Sequence, residues 1–228
     1  MTNTSVVIAV FNEEKYIKTF LDSLMKQTLK PKEIIIVDNN CTDNTIAICK
    51  NYPVKIVKES RQGMIFARNR GFDEATGYII AKCDADAVLP KNWIEKIDSA
   101  LSNKDVDAMS GLTVFNDVLI KTRIFTLMYG AIMKVILKGN DTLQGPNMAL
   151  KKAVWDKVKK EVCLDDRKVH EDIDLSIHII RKGGKVWLDK NLIVYASGRR
   201  VKKNPFSFFI EYPYRLFKTL YYHRLRGL

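Results

Sequence analysis

The sequence predicts an α/β fold: a mostly parallel central sheet flanked by helices, with a basic, aromatic helical extension at the C-terminus. Three observations carry this expectation. In the first hundred residues, short β-branched runs alternate with helix-period patterns, as βαβ units do. Two of those runs are followed directly by acidic residues, at the end of the strand where a parallel sheet presents its ligand crevice. The 228 residues, 46% hydrophobic and 28% charged, suffice for one sizeable core with an appendage.

Each element has its own justification. Ser5 to Phe11 (SVVIAVF) reads as a strand buried on both faces, and Ile17, Phe20, Leu21, Leu24 and Met25 recur at helical spacing between Glu13 and Gln27. Glu33 to Val37 is the second strand. Thr42 or Asp43 can cap a helix over Asn44 to Asn51, and Val54 to Val57 is the third strand. A helix runs from Met64 to Ala75 after Gly63, and Tyr78 to Cys83 is the fourth strand. Trp93 to Leu101 is helical and Val106 to Leu112 extended. Beyond Lys121 the pattern predicts an apolar helix over Ile124 to Leu137, a loop at Gly145-Pro146-Asn147, and a helix near Lys151 to Lys160. A further helix over Glu171 to Arg181 is ended by Gly183-Gly184, and short strands follow at Val186 to Leu188 and Leu192 to Tyr195. The expected division is a core domain of residues 1–198 and an extension of residues 199–228.

The charge is unevenly placed. Of the net +12, the segment Arg199 to Leu228 carries +7, from eight Lys/Arg against Glu211 alone. That marks the C-terminal segment, whereas a nucleic-acid-binding domain would be basic throughout. The four cysteines form no CxxC pair and no zinc spacing, which fits a reducing cytosol. No basic region precedes an apolar core at the N-terminus, so no secretory signal is expected. The apolar run Ile124 to Met133 is too short to span a bilayer and is expected to be a buried helix.

Asp38 follows the second strand, and Asp84 and Asp86 follow the fourth. Carboxylates two apart in extended chain lie on one side, where their repulsion favours a cation beside them. Oxygen ligands suit Mg²⁺ or Mn²⁺, which would hold a diphosphate. Neither GxGxxG nor GxxxxGK[ST] is present to cradle phosphates through glycine backbone. Glu171, Asp172 and Asp174 crowd the first turn of their helix, where the positive dipole end keeps carboxylates ionised. Acids there also simply stabilise a helix start.

Several motifs stand in a meaningful order: VVIAVFNEE (Val6 to Glu14), IIIVDNNCTDNT (Ile34 to Thr45), GMIFARNRGFDEATGYIIAKCDAD (Gly63 to Asp86) and HEDIDLSIHIIRKGG (His170 to Gly184). Together they resemble the inverting glycosyltransferases of family 2, over roughly residues 5–198. The resemblance implies the Rossmann-like GT-A fold of nucleotide-diphospho-sugar transferases. It implies a UDP- or GDP-sugar donor, a Mg or Mn divalent cation, and a glycan or lipid-linked acceptor.

Residue by residue, the resemblance implies that Ala9, Phe11 and Glu13 line the nucleotide pocket, with Phe11 against the base. Asp38 would accept a hydrogen from the base, Arg68 would help hold the nucleotide, and Asp84-Ala85-Asp86 would line the donor site. Asp84 would take ribose or metal, and Asp86 metal. Asp172 would be the general base, taking the acceptor proton, with Glu171 beside it on the acceptor side. Gly145, Pro146, Asn147 and Met148 would form the acceptor loop. The family often carries a histidine after this helix, but Ala196 to Arg200 has none, so Arg199 or Arg200 would neutralise the leaving diphosphate instead. From Pro205 to Leu228, aromatics interleave with Arg215, Lys218, Arg224 and Arg226, and Pro213 is expected to break or kink the helix. This pattern predicts peripheral attachment to the cytoplasmic face of the cell membrane. The alternatives are packing on the core, dimerisation, or a non-catalytic or nucleic-acid-binding role for the basic tail.

Overall fold

A computed structural model describes residues 2–103, 105–115, 122–165, 167–199, 202 and 212–225. Arg200, Arg226 and the stretch 203–211, with Phe206, Phe208, Phe209 and Ile210, lie outside the described residues, as does the Tyr212 side chain.

The strands are β1 (Thr4–Val10), β2 (Glu33–Asp38), β3 (Lys55–Lys58), β4 (Ile79–Cys83), β5 (Ala108–Phe115), β6 (Asn147–Lys151) and β7 (Val186–Ala196). They form one sheet in the order β3-β2-β1-β4-β6-β5-β7. All pairings are parallel except those of β6, which runs antiparallel to both β4 and β5. The helices are α1 (Ile17–Met25), α2 (Thr45–Cys49), α3 (Met64–Glu74), α4 (Trp93–Asn103), α5 (Thr122–Ile136), α6 (Lys152–Val158), α7 (Glu171–Arg181) and α8 (Tyr212–Leu225).

Strand alternation builds a core on each face of the sheet. Val6, Ile8 and Val10 of β1 join Ile34 and Ile36 of β2 under α1 and α4. Val7, Ile35 and Val37 face the other way, against α3, α6 and α7. On this second face α3 approaches so closely that a Cβ on Gly71 would lie 2.2 Å from Val7 Cγ1 and 2.9 Å from Val37 Cγ2.

Three expectations are corrected. Asn147 does not belong to a loop but begins β6, whose antiparallel insertion brings the 144–146 turn to the same sheet edge as the carboxyl ends of β1, β2 and β4. The two short strands near the C-terminus are one strand, β7. Its register against β5 jumps from Gly111↔Asp189 to Leu112↔Ile193. A Cβ on Gly111 would sit 2.1 Å from Leu192 O, so glycine makes the irregularity possible. The α5 run is not simply buried: Met133 and Leu137 pack against Ile173 and Ile177 of α7, but Met128, Ile132, Val135 and Ile136 are exposed. α8 begins at Tyr212 with Pro213 in its first turn, where no N–H is needed, and the residues on which the expected break at Pro213 turns, 203–211, lie outside the described residues.

α8 is docked by its inner face. Thr219 Oγ1 accepts a hydrogen bond from His170 N–H at 2.6 Å, and Arg181 Nη2 donates to His223 O at 3.0 Å. The opposite face leaves Tyr214, Phe217 and Tyr221 exposed. No helix among the described residues is long and apolar enough to cross a membrane.

Candidate active site

The site is assembled at one edge of the sheet from four loops. After β1 the chain turns through Phe11 and Asn12, the latter at φ 55°. Asn12 Oδ1 accepts from Thr42 N–H at 2.8 Å, and Glu13 N–H donates to Thr45 Oγ1 at 2.7 Å. These bonds fasten the β1 loop to the loop after β2. Phe11 remains 49% exposed, an aromatic surface at the mouth, and Ala9 is half-buried below it. Asp38 closes its own turn, Oδ1 accepting from Cys41 N–H at 2.8 Å. Asn39, buried, gives its amide hydrogens to Glu59 O and Arg61 O and accepts from Gly63 N–H, which sets the start of α3.

The acid loop after β4 is held by an antiparallel bridge between Val88 and Tyr195. That bridge draws the end of β7 across it and delivers Arg199, which pairs with Glu13 Oε1 and lies 3.4 Å from Asp86 Oδ2. The guanidinium also stacks over Tyr16, 4.8 Å from the ring centroid. Arg199 therefore neutralises protein carboxylates here, where the sequence suggested a diphosphate partner. Burial, reinforced by Asp84 and Glu13 against the opposing pull of Arg199, pushes Asp86 up to about 6. Glu13 Oε2 is buried without a hydrogen-bond partner among the described residues. An orphaned buried oxygen beside two crowded carboxylates suits a hard divalent cation, so Asp84, Asp86 and the neighbouring Glu13 fit the metal the sequence implies.

Lys82, on the α7 side of β4, joins this loop to the turn beside Asp172. It is 2% exposed, and Nζ donates to Asp84 Oδ1 at 3.0 Å and to Gly145 O at 2.7 Å. Burial alone would lower its pKa, but Asp84, Glu171 and Asp172 outweigh it and hold the ammonium charged. Sequence reasoning missed this residue. Its signal was a lysine inside an otherwise apolar strand, IIAKC, where a charge survives only if paired.

At the start of α7, Asp172 is 6% exposed. Its Oδ2 accepts from Gly145 N–H at 2.7 Å, while Oδ1 has no hydrogen-bond partner among the described residues. One oxygen thus fixes the carboxylate and the other keeps its lone pairs. Glu171, half-buried, is raised to about 7 by burial and by Asp172, with Arg68 and Lys82 opposing. Arg68 is closed off from solvent, and Nη1 donates to Glu171 O at 3.1 Å while Nε and Nη2 hold Asn69 Oδ1. Its place is under the first turn of α7, joining α3 to α7.

On the acceptor side, Gly145 and Pro146 border Asp172 and Cys83, whose Sγ lies 2.8 Å from Pro146 O. Asn147 and Met148 do not fit the acceptor role. Asn147 is wholly buried, its amide donating to Leu112 O and Leu192 O and accepting from Trp93 Nε1, and Met148 packs in the α3/α7 core. Both support the turn and offer no atom to a ligand. Ala85 is buried between the two acids.

The sequence model of "Glycosyl transferase family 2" matches residues 5–157, more than half of the chain. The chain belongs to glycosyl transferase family 2. Among relatives of this family, it is 32% identical over 113 residues to glycosyltransferase GlyG of Streptococcus pneumoniae, covering 47% of this chain and 38% of that one. It is 32% identical over 128 residues to glycosyltransferase AglE of Haloferax volcanii, covering 50% and 42%. The chain thus spans well under half the length of these curated relatives.

Solved structures share the fold at low identity. Mannosyltransferase PcManGT of Pyrobaculum calidifontis, in complex with GDP-Man and Mn²⁺, superposes with TM-score 0.68 at 21% identity, over 86% of this chain and 56% of that one. Glucosyl-3-phosphoglycerate synthase of Mycobacterium tuberculosis, with Mn²⁺, UDP and phosphoglyceric acid, gives 0.66 at 16% identity, over 88% and 72%. The architecture is the GT-A fold of family 2, as the sequence motifs imply.

Proposed function

We propose that this chain is the catalytic domain of an inverting glycosyltransferase that moves a sugar from a UDP- or GDP-sugar to a hydroxyl or phosphate of a glycan or lipid-linked acceptor, in glycan or cell-envelope polysaccharide synthesis. The observation that carries the reading is Asp172: fixed through Oδ2 by Gly145 N–H, with a partnerless Oδ1, at the same edge as Asp84 and Asp86. Phe11 offers its exposed ring to the base, and Asp38 and Glu13 line the same mouth. Asp84 and Asp86 would hold a Mg²⁺ or Mn²⁺ ion, which would supply charge neutralisation for the departing diphosphate. Asp172 Oδ1 takes the acceptor proton, and Lys82 keeps the carboxylates of the two half-sites in register through Asp84 and Gly145. The two solved neighbours, one in complex with GDP-Man and Mn²⁺ and the other with UDP and Mn²⁺, support the donor class. A panel of sugar nucleotides, scored for turnover with Mg²⁺ or Mn²⁺ and with chelator, tests it. One donor should be consumed only with metal, and Asp86→Ala should abolish both turnover and metal-dependent donor binding. Equal turnover in chelator would refute the metal assignment.

The proposed location is the cytoplasmic face of a membrane. Met133 of α5 and Leu216 of α8 share one apolar cluster with Ile173 and Ile177 of α7, each of α5 and α8 leaves apolar side chains exposed, and Phe217 and Tyr221 stack with ring centroids 6.4 Å apart. Arg215, Lys218 and Arg224 punctuate α8, each cation near an anionic surface being worth about 1 kcal/mol. Replacing Tyr214, Phe217 and Tyr221 with Ser, which spares the docked Thr219 and His223, should reduce flotation with anionic vesicles. Undiminished flotation would reject the attachment. Family membership over residues 5–157 speaks against a nucleic-acid-binding role for the tail.

A further inference from the structure

Away from the acid loop, three buried side chains converge where α8 meets α7. Asp174 and His178 stand four residues apart on α7 and so share a helix face, and α8 brings His223 to them. His223 Nε2 lies 2.9 Å and His178 Nε2 3.5 Å from the same Asp174 oxygen, Oδ1. One ligand-capable atom from each residue lies within 4.8 Å of the others. Four-coordinate zinc, with bonds near 2.0–2.1 Å, sets its ligand atoms about 3.3 Å apart, so the two Asp174–His distances lie within about 0.5 Å of what the ion needs, and the wider spread of the triad has to close around it. The two imidazoles are otherwise poorly provided for: both nitrogens of His178 and Nδ1 of His223 are buried without a hydrogen-bond partner among the described residues.

We infer that Asp174, His178 and His223 form a second metal site, taking a borderline divalent transition-metal ion, zinc above all, which clips α8 to α7. Two neutral imidazoles and a carboxylate are a zinc ligand set, whereas the all-oxygen Asp84/Asp86 pair selects Mg²⁺ or Mn²⁺. The surroundings supply outer support. Cys163 N–H donates to Asp174 Oδ2 at 2.9 Å and leaves Oδ1 to the histidines. Glu161 Oε2 lies 3.6 Å from His178 Nδ1, just beyond hydrogen-bond distance and on the side where a carboxylate would fix a metal-binding ring by closing on it. Arg181 and Thr219 hold α8 at the distance required. The ion would fix the helix carrying Tyr214, Phe217 and Tyr221 to the helix whose first turn carries Asp172. The inference rests on none of the catalytic assignments.

The test uses the tag-free full-length chain, stripped with chelator and titrated with zinc and with cobalt(II). One zinc per chain is expected to bind in the wild type and in Asp86→Ala, to give a tetrahedral cobalt(II) spectrum, and to raise the melting temperature. His178→Asn and His223→Asn should lose that ion and that stabilisation, and Glu161→Gln should bind zinc about 10-fold or more weakly. Should the histidine variants fail to fold, zinc-induced shifts of the His178 and His223 imidazole resonances in the wild type decide the matter. A wild-type chain that takes up no zinc, uptake unchanged in folded histidine variants, or imidazoles that zinc does not shift would overturn the inference.

Discussion

Replacing Gly145 with Ala is the smallest change that reaches the proposed base without touching it. Gly145 does not adopt a positive φ, so alanine is acceptable to the backbone, and the N–H that donates to Asp172 Oδ2 is retained. What changes is space. The new Cβ would lie 2.7 Å from Oδ2, 3.0 Å from Oδ1 and 3.2 Å from Cγ of Asp172, against an ordinary contact of at least 3.4 Å. The carboxylate must therefore retreat by about 0.7 Å, the difference between 3.4 and 2.7 Å. Misplacing a reacting group by about 1 Å costs on the order of 10²-fold in rate, so a loss of roughly 10- to 100-fold in kcat is expected. Donor affinity should hold, because Gly145 lies on the acceptor side. The assay is nucleoside diphosphate release with the sugar nucleotide selected from the panel, beside calorimetric donor binding and a thermal melt. Wild-type kcat in a folded Gly145→Ala variant would refute the placement of Asp172, and weakened donor binding with unchanged kcat would move this turn to the donor side.

Two further outcomes follow from the packing and charge of the same region. Glu171 is raised from its usual 4.5 to about 7, so between those values the folded chain holds a proton that the unfolded chain has released, and stability falls as pH rises through that window. Glu171→Gln should remove that loss, gaining on the order of 1–2 kcal/mol over wild type at about pH 8 relative to about pH 5, as read by denaturant melts. A gap between the two proteins that does not change with pH would show that Glu171 is not buried against Asp172. Gly71→Ala should overpack α3 against Val7 and Val37, costing about 1–3 kcal/mol and several degrees of melting temperature. An unchanged melt would contradict the close approach.

Much of the fold was legible because local and global signals agree in the first half of the chain. Each strand there is a β-branched run ended by an acid or a turn former, and Asp84-x-Asp86 stands where the topology puts a ligand. The limits of α7 were legible too, since three acids head it and Gly183, at φ +79°, ends it. β6 was hidden because NMALK is five residues without alternation, and its antiparallel course is set by neighbours distant in sequence. The same insertion explains why Asn147 and Met148 were misassigned: a turn motif next to a buried strand shows no boundary in composition. Long-range partners left no local trace either. Nothing adjacent to Arg199 in sequence announces Glu13, and nothing near His223 announces Asp174. The exposed face of α5 escaped notice because hydrophobic residues alone do not say whether protein or another apolar surface covers them.

The central claim is that Asp172 removes the acceptor proton, and Asp172→Asn tests it most directly, since the amide keeps the size of the side chain but cannot serve as a base. Single-turnover rates at saturating donor, together with donor affinity, are the measurement. Affinity within a few-fold of wild type and a rate lower by roughly 10²–10⁴-fold are predicted, the usual contribution of general base catalysis. Weak donor binding with a normal rate at saturation would contradict the account and place Asp172 in the donor pocket.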